Sequence, residues 1–420
     1  MMLTVATLLS WPVSGAEITV DVLQDREGGL YAVGDEAQFS LCLLDPGGNP
    51  LEGTLSYRLT LDGAEQFEAG EVEVGTEAGN VTGTLDRPGV LRCTAWTVVD
   101  GTRVTGFGAA AFDPEQIEPT ATAPDDFDDW WANQKDLLAQ VPVDAQLEPR
   151  ESPADIGGLF KISVANVDDQ RVSGWLAIPR TTPAPAIITF TAAGVSGTGP
   201  ATALSWAQEG FVAMHVIHHN FDVEIDPEEA TALREGALRG YSHFGRENRD
   251  DYYFRRVFLG CVRALDLLTS RPEWNGEHLV ATGSSQGGGI SLCVAGLDGR
   301  ITAVAVNVPG LCDHTGLQHG RPSGWPRLIP PDDPHGPVAR VAPYFDAVNF
   351  ARRFDGAVWM AVGLVDRTCP AMTVYSAYNV LSGPKTMLVF PRMGHAIPAA
   401  YRTDRVEWAK QQVGLTSSMN

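Results

Sequence analysis

Between Glu17 and about Asp113, apolar and polar residues alternate over short stretches separated by turn residues. Ile18 to Leu23, Ala37 to Leu44, Gly53 to Leu61, Gly79 to Leu85, Val90 to Val99 and Val104 to Phe112 each read as a strand with one face turned inward. Pro46-Gly47-Gly48-Asn49, Asp62-Gly63 and Asp100-Gly101 supply the turns. The pattern predicts a small immunoglobulin-like β-sandwich over residues 17–113. Its few scattered aromatic residues fit a packing or interface module better than a sugar-binding platform, and nothing in it reads as catalytic. Pro114 to Pro124 is a connector rich in Pro, Thr and Ala. Behind Asp125 and Asp126, which suit the positive end of a helix dipole, Phe127, Trp130, Trp131, Leu137, Leu138 and Val141 follow at helical spacing. This predicts a docking helix within a 114–150 linker.

From Ala154 the texture changes to apolar strands alternating with helical periods, which predicts an α/β domain with a mostly parallel sheet over 151–420. The strands expected are Ala186 to Phe190, Phe211 to Ile217, His278 to Thr282, Ile301 to Val306, Ala357 to Val362 and Thr386 to Phe390. Between the second and third, Val257, Phe258, Cys261, Val262, Leu265 and Leu268 mark a helix that Arg271-Pro272 ends. Ligands of such sheets bind beyond the carboxyl ends of the strands, so chemistry is sought just after each one.

Charge narrows the partners. The 420 residues carry 30 Lys+Arg against 52 Asp+Glu, a net charge of -22, the wrong sign for holding phosphate backbones or anionic membranes. A 44% hydrophobic content excludes global disorder. Six Cys do not make a disulfide scaffold. Cys42 and Cys93 are not expected to bridge, because Phe39, Leu41 and Leu43 form the inner face of their strand and turn Cys42 away. Leu3 to Val13 followed by Ser14-Gly15-Ala16 resembles a secretory leader over residues 1–16, although no basic residue precedes it. The expectation is a secreted or periplasmic protein without a membrane span.

The strand ending at Thr282 runs into Gly283-Ser284-Ser285-Gln286-Gly287, a G-x-S-x-G match between strand and helix. In such an elbow the nucleophile occupies a strained turn, its neighbours two residues away must be small, and the following helix aims free N–H groups at a developing oxyanion. Ser285 is therefore the candidate nucleophile. The acid and base should follow in the order acid, His, on loops after later strands. Asp366, after Ala357 to Val362, and His395, after Thr386 to Phe390, stand there, whereas Asp355 precedes its strand and lies at the wrong edge. Backbone amides of Gln286 and Ala193, the latter in Thr191-Ala192-Ala193-Gly194-Val195, are the expected oxyanion donors. No metal or cofactor is expected. His215, His218 and His219 lack the spacing of a zinc site, and Cys369, beside Pro370, reads as a packing residue.

With these residues in hand, positions 125 to 415 resemble carbohydrate esterase family 7, the acetyl xylan esterases and cephalosporin C deacetylases. Gly283-Ser284-Ser285-Gln286-Gly287-Gly288 resembles the family's G-G-S-Q-G-G. Asp366-Arg367-Thr368-Cys369-Pro370 with Tyr375 to Asn379 resembles its D-x-x-C-P segment before A-Y-N. The stretches Tyr253 to Leu268 and Cys312 to Pro326 are similar to a bacterial branch with an N-terminal β-sandwich. The resemblance implies an α/β-hydrolase fold, a serine esterase acting on acetylated oligo- or polysaccharides, and Ser285, Asp366 and His395 as its triad. Many members have His-Gly-Tyr where this chain has Thr191-Ala192-Ala193, and Glu where it has Ala396. A glucuronoyl esterase or broad carboxylesterase, a prolyl-oligopeptidase-like peptidase and an inactive binding protein are the alternative readings. Homo-oligomerisation stays open.

Overall fold

The computed structural model describes residues 18–399 and 401–415, so the leader-like residues 1–16 lie outside the described residues. Eight strands come first: β1 (Thr19–Gln24), β2 (Leu30–Tyr31), β3 (Ala37–Leu44), β4 (Gly53–Leu61), β5 (Gln66–Val74), β6 (Gly79–Gly83), β7 (Gly89–Val99) and β8 (Thr102–Phe112). They form two sheets, ordered β1-β3-β6 and β2-β8-β7-β4-β5. Phe39 and Leu41 of β3 and Leu55 and Leu59 of β4 are buried in a shared core, as their alternation requires. Cys42 lies on the opposite face of β3 from Leu41, and both Cys42 and Cys93 are free thiols.

The second sheet holds nine strands: β9 (Gln146–Arg150), β10 (Gly158–Ala165), β11 (Arg171–Ile178), β12 (Ala184–Phe190), β13 (Val212–Val216), β14 (Trp274–Ser284), β15 (Ala303–Asn307), β16 (Ala357–Gly363) and β17 (Lys385–Phe390). Their order is β17-β16-β15-β14-β12-β13-β11-β10-β9. The six strands β12 to β17 run parallel, and β9 to β11 extend the sheet antiparallel at one side. Strand order reverses at β12, with β13 on one side and β14 on the other, which opens a crevice at the carboxyl ends. Helices cover both faces. Gln286–Leu297, the helix after β14, is almost wholly buried, and Tyr253–Thr269 packs Phe254, Phe258 and Leu265 inward.

The connector is anchored along its length. Asn379 donates to the carbonyls of Pro114 and Ile117, and the amides of Thr120 and Ala121 both donate to Asp313 Oδ1 at 2.9 Å. The docking helix spans Phe127–Ala139, and its Trp131 indole donates to the Tyr344 carbonyl at 3.0 Å. Leu137, expected on its inner face, is exposed, because the buried stripe follows Phe127, Trp130, Trp131, Gln134 and Leu138.

Candidate active site

Register along the sheet fixes where the loops emerge. Phe190 at the end of β12 pairs with Gly283, Ser284 pairs with Asn307, and Gly363 pairs with Phe390. The loops beginning at Thr191, Ser285, Leu364 and Pro391 thus leave one edge side by side. Ser285 adopts φ 56° and ψ -125°, an unfavourable region for a residue with a Cβ. Close packing dictates the glycines around it. A Cβ on Gly287 would lie 2.2 Å from the Phe190 carbonyl oxygen, and one on Gly283 would lie 2.4 Å from the Gly287 backbone.

The structure brings the three predicted side chains together. His395 Nε2 lies 2.7 Å from Ser285 Oγ, and His395 Nδ1 lies 2.7 Å from Asp366 Oδ2. Asp366 is fully buried, and its other oxygen accepts the amides of Thr368 at 2.7 Å and Cys369 at 3.0 Å. These bonds fix the roles: a carboxylate oxygen accepts, so Nδ1 carries the proton and Nε2 is left to accept from the serine hydroxyl. Cys369 also sits against this group, buried, with burial pushing its thiol up. Asp366, Cys369 and His395 have ligand atoms close enough for a metal ion. However, both ring nitrogens of His395 and both oxygens of Asp366 are already hydrogen-bonded, which fits a proton relay and not an ion.

Ser285 and His395 open onto a cavity of about 370 Å³ lined also by Ala192, Ala193, Val308, Trp325, Ala396 and Ile397. Gln286 opens its helix, so its N–H has no partner within the helix. Among the described residues no acceptor takes the Ala193 N–H. Ala193 lines the cavity together with Ser285, and Gln286 follows Ser285 directly.

A buried relay behind this loop went unread in the sequence. Tyr241 Oη donates to Gln286 Oε1 at 2.6 Å, and Gln286 Nε2 donates to His218 Nε2 at 2.7 Å. His218 Nδ1 then donates to Thr191 Oγ1 at 2.9 Å. Alongside, His219 Nε2 donates to the Gly194 carbonyl at 2.8 Å and its Nδ1 accepts from Tyr253. Burial holds the His218 imidazole well below its usual range, and pushes His219 down to about 4, so both rings are neutral. The two histidines thus brace the loop carrying Ala193, while His215 lies apart, bonded to Thr198. Their position beyond a strand end was the visible signal; Tyr253 was marked only as part of the stretch resembling the family, and Tyr241 carried none.

The sandwich also reaches the site. Arg92 of β7 donates from Nη2 to the Asp366 carbonyl at 2.7 Å and pairs with buried Asp62, which accepts the Met372 amide at 2.8 Å. Arg392 in the loop leading to His395 pairs with Asp21 at 2.8 Å. The acid loop and the histidine loop are therefore both held by residues from the N-terminal sheets.

The family model for acetyl xylan esterase (AXE1) matches residues 115–412. The acetyl esterase Axe7A of Xylanibacter ruminicola is 29% identical over 393 residues, covering 91% of this chain and 88% of its own. An acetyl xylan esterase from Paenibacillus sp. R4 superposes with a TM-score of 0.62 at 29% identity, covering 71% of this chain and 98% of that one. Acetyl xylan esterase 1 from Thermoanaerobacterium sp. JW/SL YS485 gives a TM-score of 0.62 at 24% identity, over 71% and 97% of the two chains, a likeness of fold.

Proposed function

This chain belongs to the acetyl xylan esterase family, and from that membership we propose that it is a serine esterase removing acetyl groups from sugar hydroxyls, with acetylated xylan or xylo-oligosaccharides as substrate. The observation that carries the reading is the continuous line from Ser285 Oγ through His395 to Asp366, with two bonds of 2.7 Å at the carboxyl edge of the sheet. Ser285 attacks the acetyl carbonyl while His395 Nε2 takes its proton, and Asp366 steadies the imidazolium that forms. The amides of Gln286 and Ala193 receive the oxyanion. The sugar alcohol leaves with the proton from His395, and water, deprotonated by the same imidazole, releases acetate from Ser285. The alanine-lined wall suits the acetyl methyl.

Two further elements belong to this proposal. The chain works as a β-sandwich over residues 17–113 and a catalytic domain over 151–420, joined by the linker and docking helix of 114–150. The leader-like residues 1–16 direct it out of the cytoplasm; among the described residues no helix is long and apolar enough to cross a membrane.

The test is acetate release from acetylated xylan and from aryl acetates. Ser285→Ala is expected to lower kcat by about 1000-fold or more. A variant retaining a tenth of the activity would remove Ser285 from the reaction.

A further inference from the structure

A second cavity, of about 460 Å³, lies between the sandwich and the catalytic sheet. Its lining includes five arginines, Arg58, Arg92, Arg321, Arg327 and Arg367, and a single acid, Asp62. In a chain with 52 acidic and 30 basic residues this is an inversion of the prevailing charge. Asp62 is committed to Arg92, and Arg321 faces Asp313 at 3.5 Å from outside the lining. Arg58, Arg327 and Arg367 are exposed, and among the described residues none of them pairs with a carboxylate. Arg327 donates to the Arg367 carbonyl at 2.7 Å, and the Arg367 guanidinium lies 4.4 Å from the Phe107 ring centre, so both are held in place without being neutralised. Moreover, Nε of Arg92, whose side chain is 5% exposed, is a buried donor without an acceptor. Buried donors are seldom left so, and guanidinium forks match carboxylates.

The cavity adjoins the active site through two loop segments. Trp325 lines the catalytic cavity and Arg327 the arginine cavity; Thr368 lines the first, Arg367 and Pro370 the second. Two residues of chain span at most about 7 Å, so an anionic substituent on a sugar near the acetylated one falls within reach. Phe107 and Ile329 add apolar surface for the C–H face of a sugar ring.

We propose that this arginine cavity binds the carboxylate of a uronic-acid branch on the oligosaccharide, so that the enzyme favours acidic segments of its substrate. The proposal rests on the deacetylation reading above and names a specificity site for it. A free uronate offers the same carboxylate, and the experiment separates the two sources.

Binding of deacetylated xylo-oligosaccharides of equal length, with and without a uronic-acid branch, is measured by calorimetry on the full chain, which reads the cavity without the reaction. The branched ligand should bind about tenfold more tightly, the effect of one charge-assisted hydrogen bond. Arg58→Glu, on a side chain that holds nothing else, should erase the difference, and Arg327→Gln should shrink it. Sodium glucuronate in excess should compete with the branched ligand only weakly, because it lacks the xylose chain. Equal affinities in the wild type, or a difference that survives in both variants, would overturn the proposal. So would glucuronate alone binding as tightly as the branched ligand, which would make the cavity a site for free carboxylates. Absent acetate release with the binding difference intact would instead remove the esterase reading and leave the carboxylate site standing.

Discussion

Gln286 holds two parts of the site at once: it follows Ser285 at the start of the helix, where its amide N–H is proposed to receive the oxyanion, and its side chain links Tyr241 to His218 and so to Thr191. Tyr241→Phe removes one donor and strands a buried amide oxygen, which costs about 1–3 kcal/mol. The expected outcome is a roughly tenfold lower kcat with KM little changed, read by steady-state kinetics on an aryl acetate. Gly287→Ala should be harsher, because its Cβ would press on the backbone of β12 at 2.2 Å, where no rotamer change relieves it. A loss of roughly 3 kcal/mol is expected in chemical denaturation. Ser285, Asp366 and His395 were legible because their signals are local: a glycine-flanked serine after a strand, and an acid and a histidine after later ones. The relay was not, since Tyr241 and Gln286 are 45 residues apart and meet only through the fold.

Among the elements, β7 matters beyond its own sheet, since Arg92 ties it to the loop of Asp366. Arg92→Ala would leave Asp62 buried without its counter-charge, and removal of one member of a buried ion pair costs about 3–5 kcal/mol. Thermal unfolding should show this loss, and turnover should fall as well because the Asp366 carbonyl loses its donor. Arg92→Lys should restore part of the stability and less of the turnover, since an ammonium cannot reach Asp62 and the carbonyl with the same fork. The parallel strands were readable as apolar runs. By contrast β5 was missed, being an edge strand exposed on both faces along most of its length, and so were β9 and β10, which carry Pro149 and Lys161, and β11, a buried run from Val172 to Ile178 that opens on Arg171. The contact between Arg92 and Asp366 spans 274 positions and leaves no local mark.

At the scale of the whole molecule, buried titratable groups set the response to acid. Burial pushes His215 and His219 down to about 4, His314 to about 3 and His218 well below its usual range. Each binds a proton in the unfolded chain below about pH 6.5 but not in the folded one, so unfolding takes up protons and stability falls as pH drops from about 6.5 to 4. Asp62, raised to about 6, and Asp346, raised to about 7, act in the opposite sense: below those values each takes up a proton in the folded chain that it gives up on unfolding. Burial lowers His243 as well, so the imidazoles outnumber the two carboxyls and unfolding takes up protons on balance. Melting curves between pH 7 and 4.5 should show it, and a melting temperature that rises on acidification would contradict it. The anchored connector has a different consequence. Appended modules on flexible tethers can be exchanged as cassettes, but here Thr120 and Ala121 are fastened to Asp313, and Arg92 and Asp21 grip the loops of the acid and the base. Transplanting another sandwich in front of residue 114 would therefore graft a new wall onto the reaction centre, and chimeras will succeed only when the donor brings its own arginine and aspartate at these places.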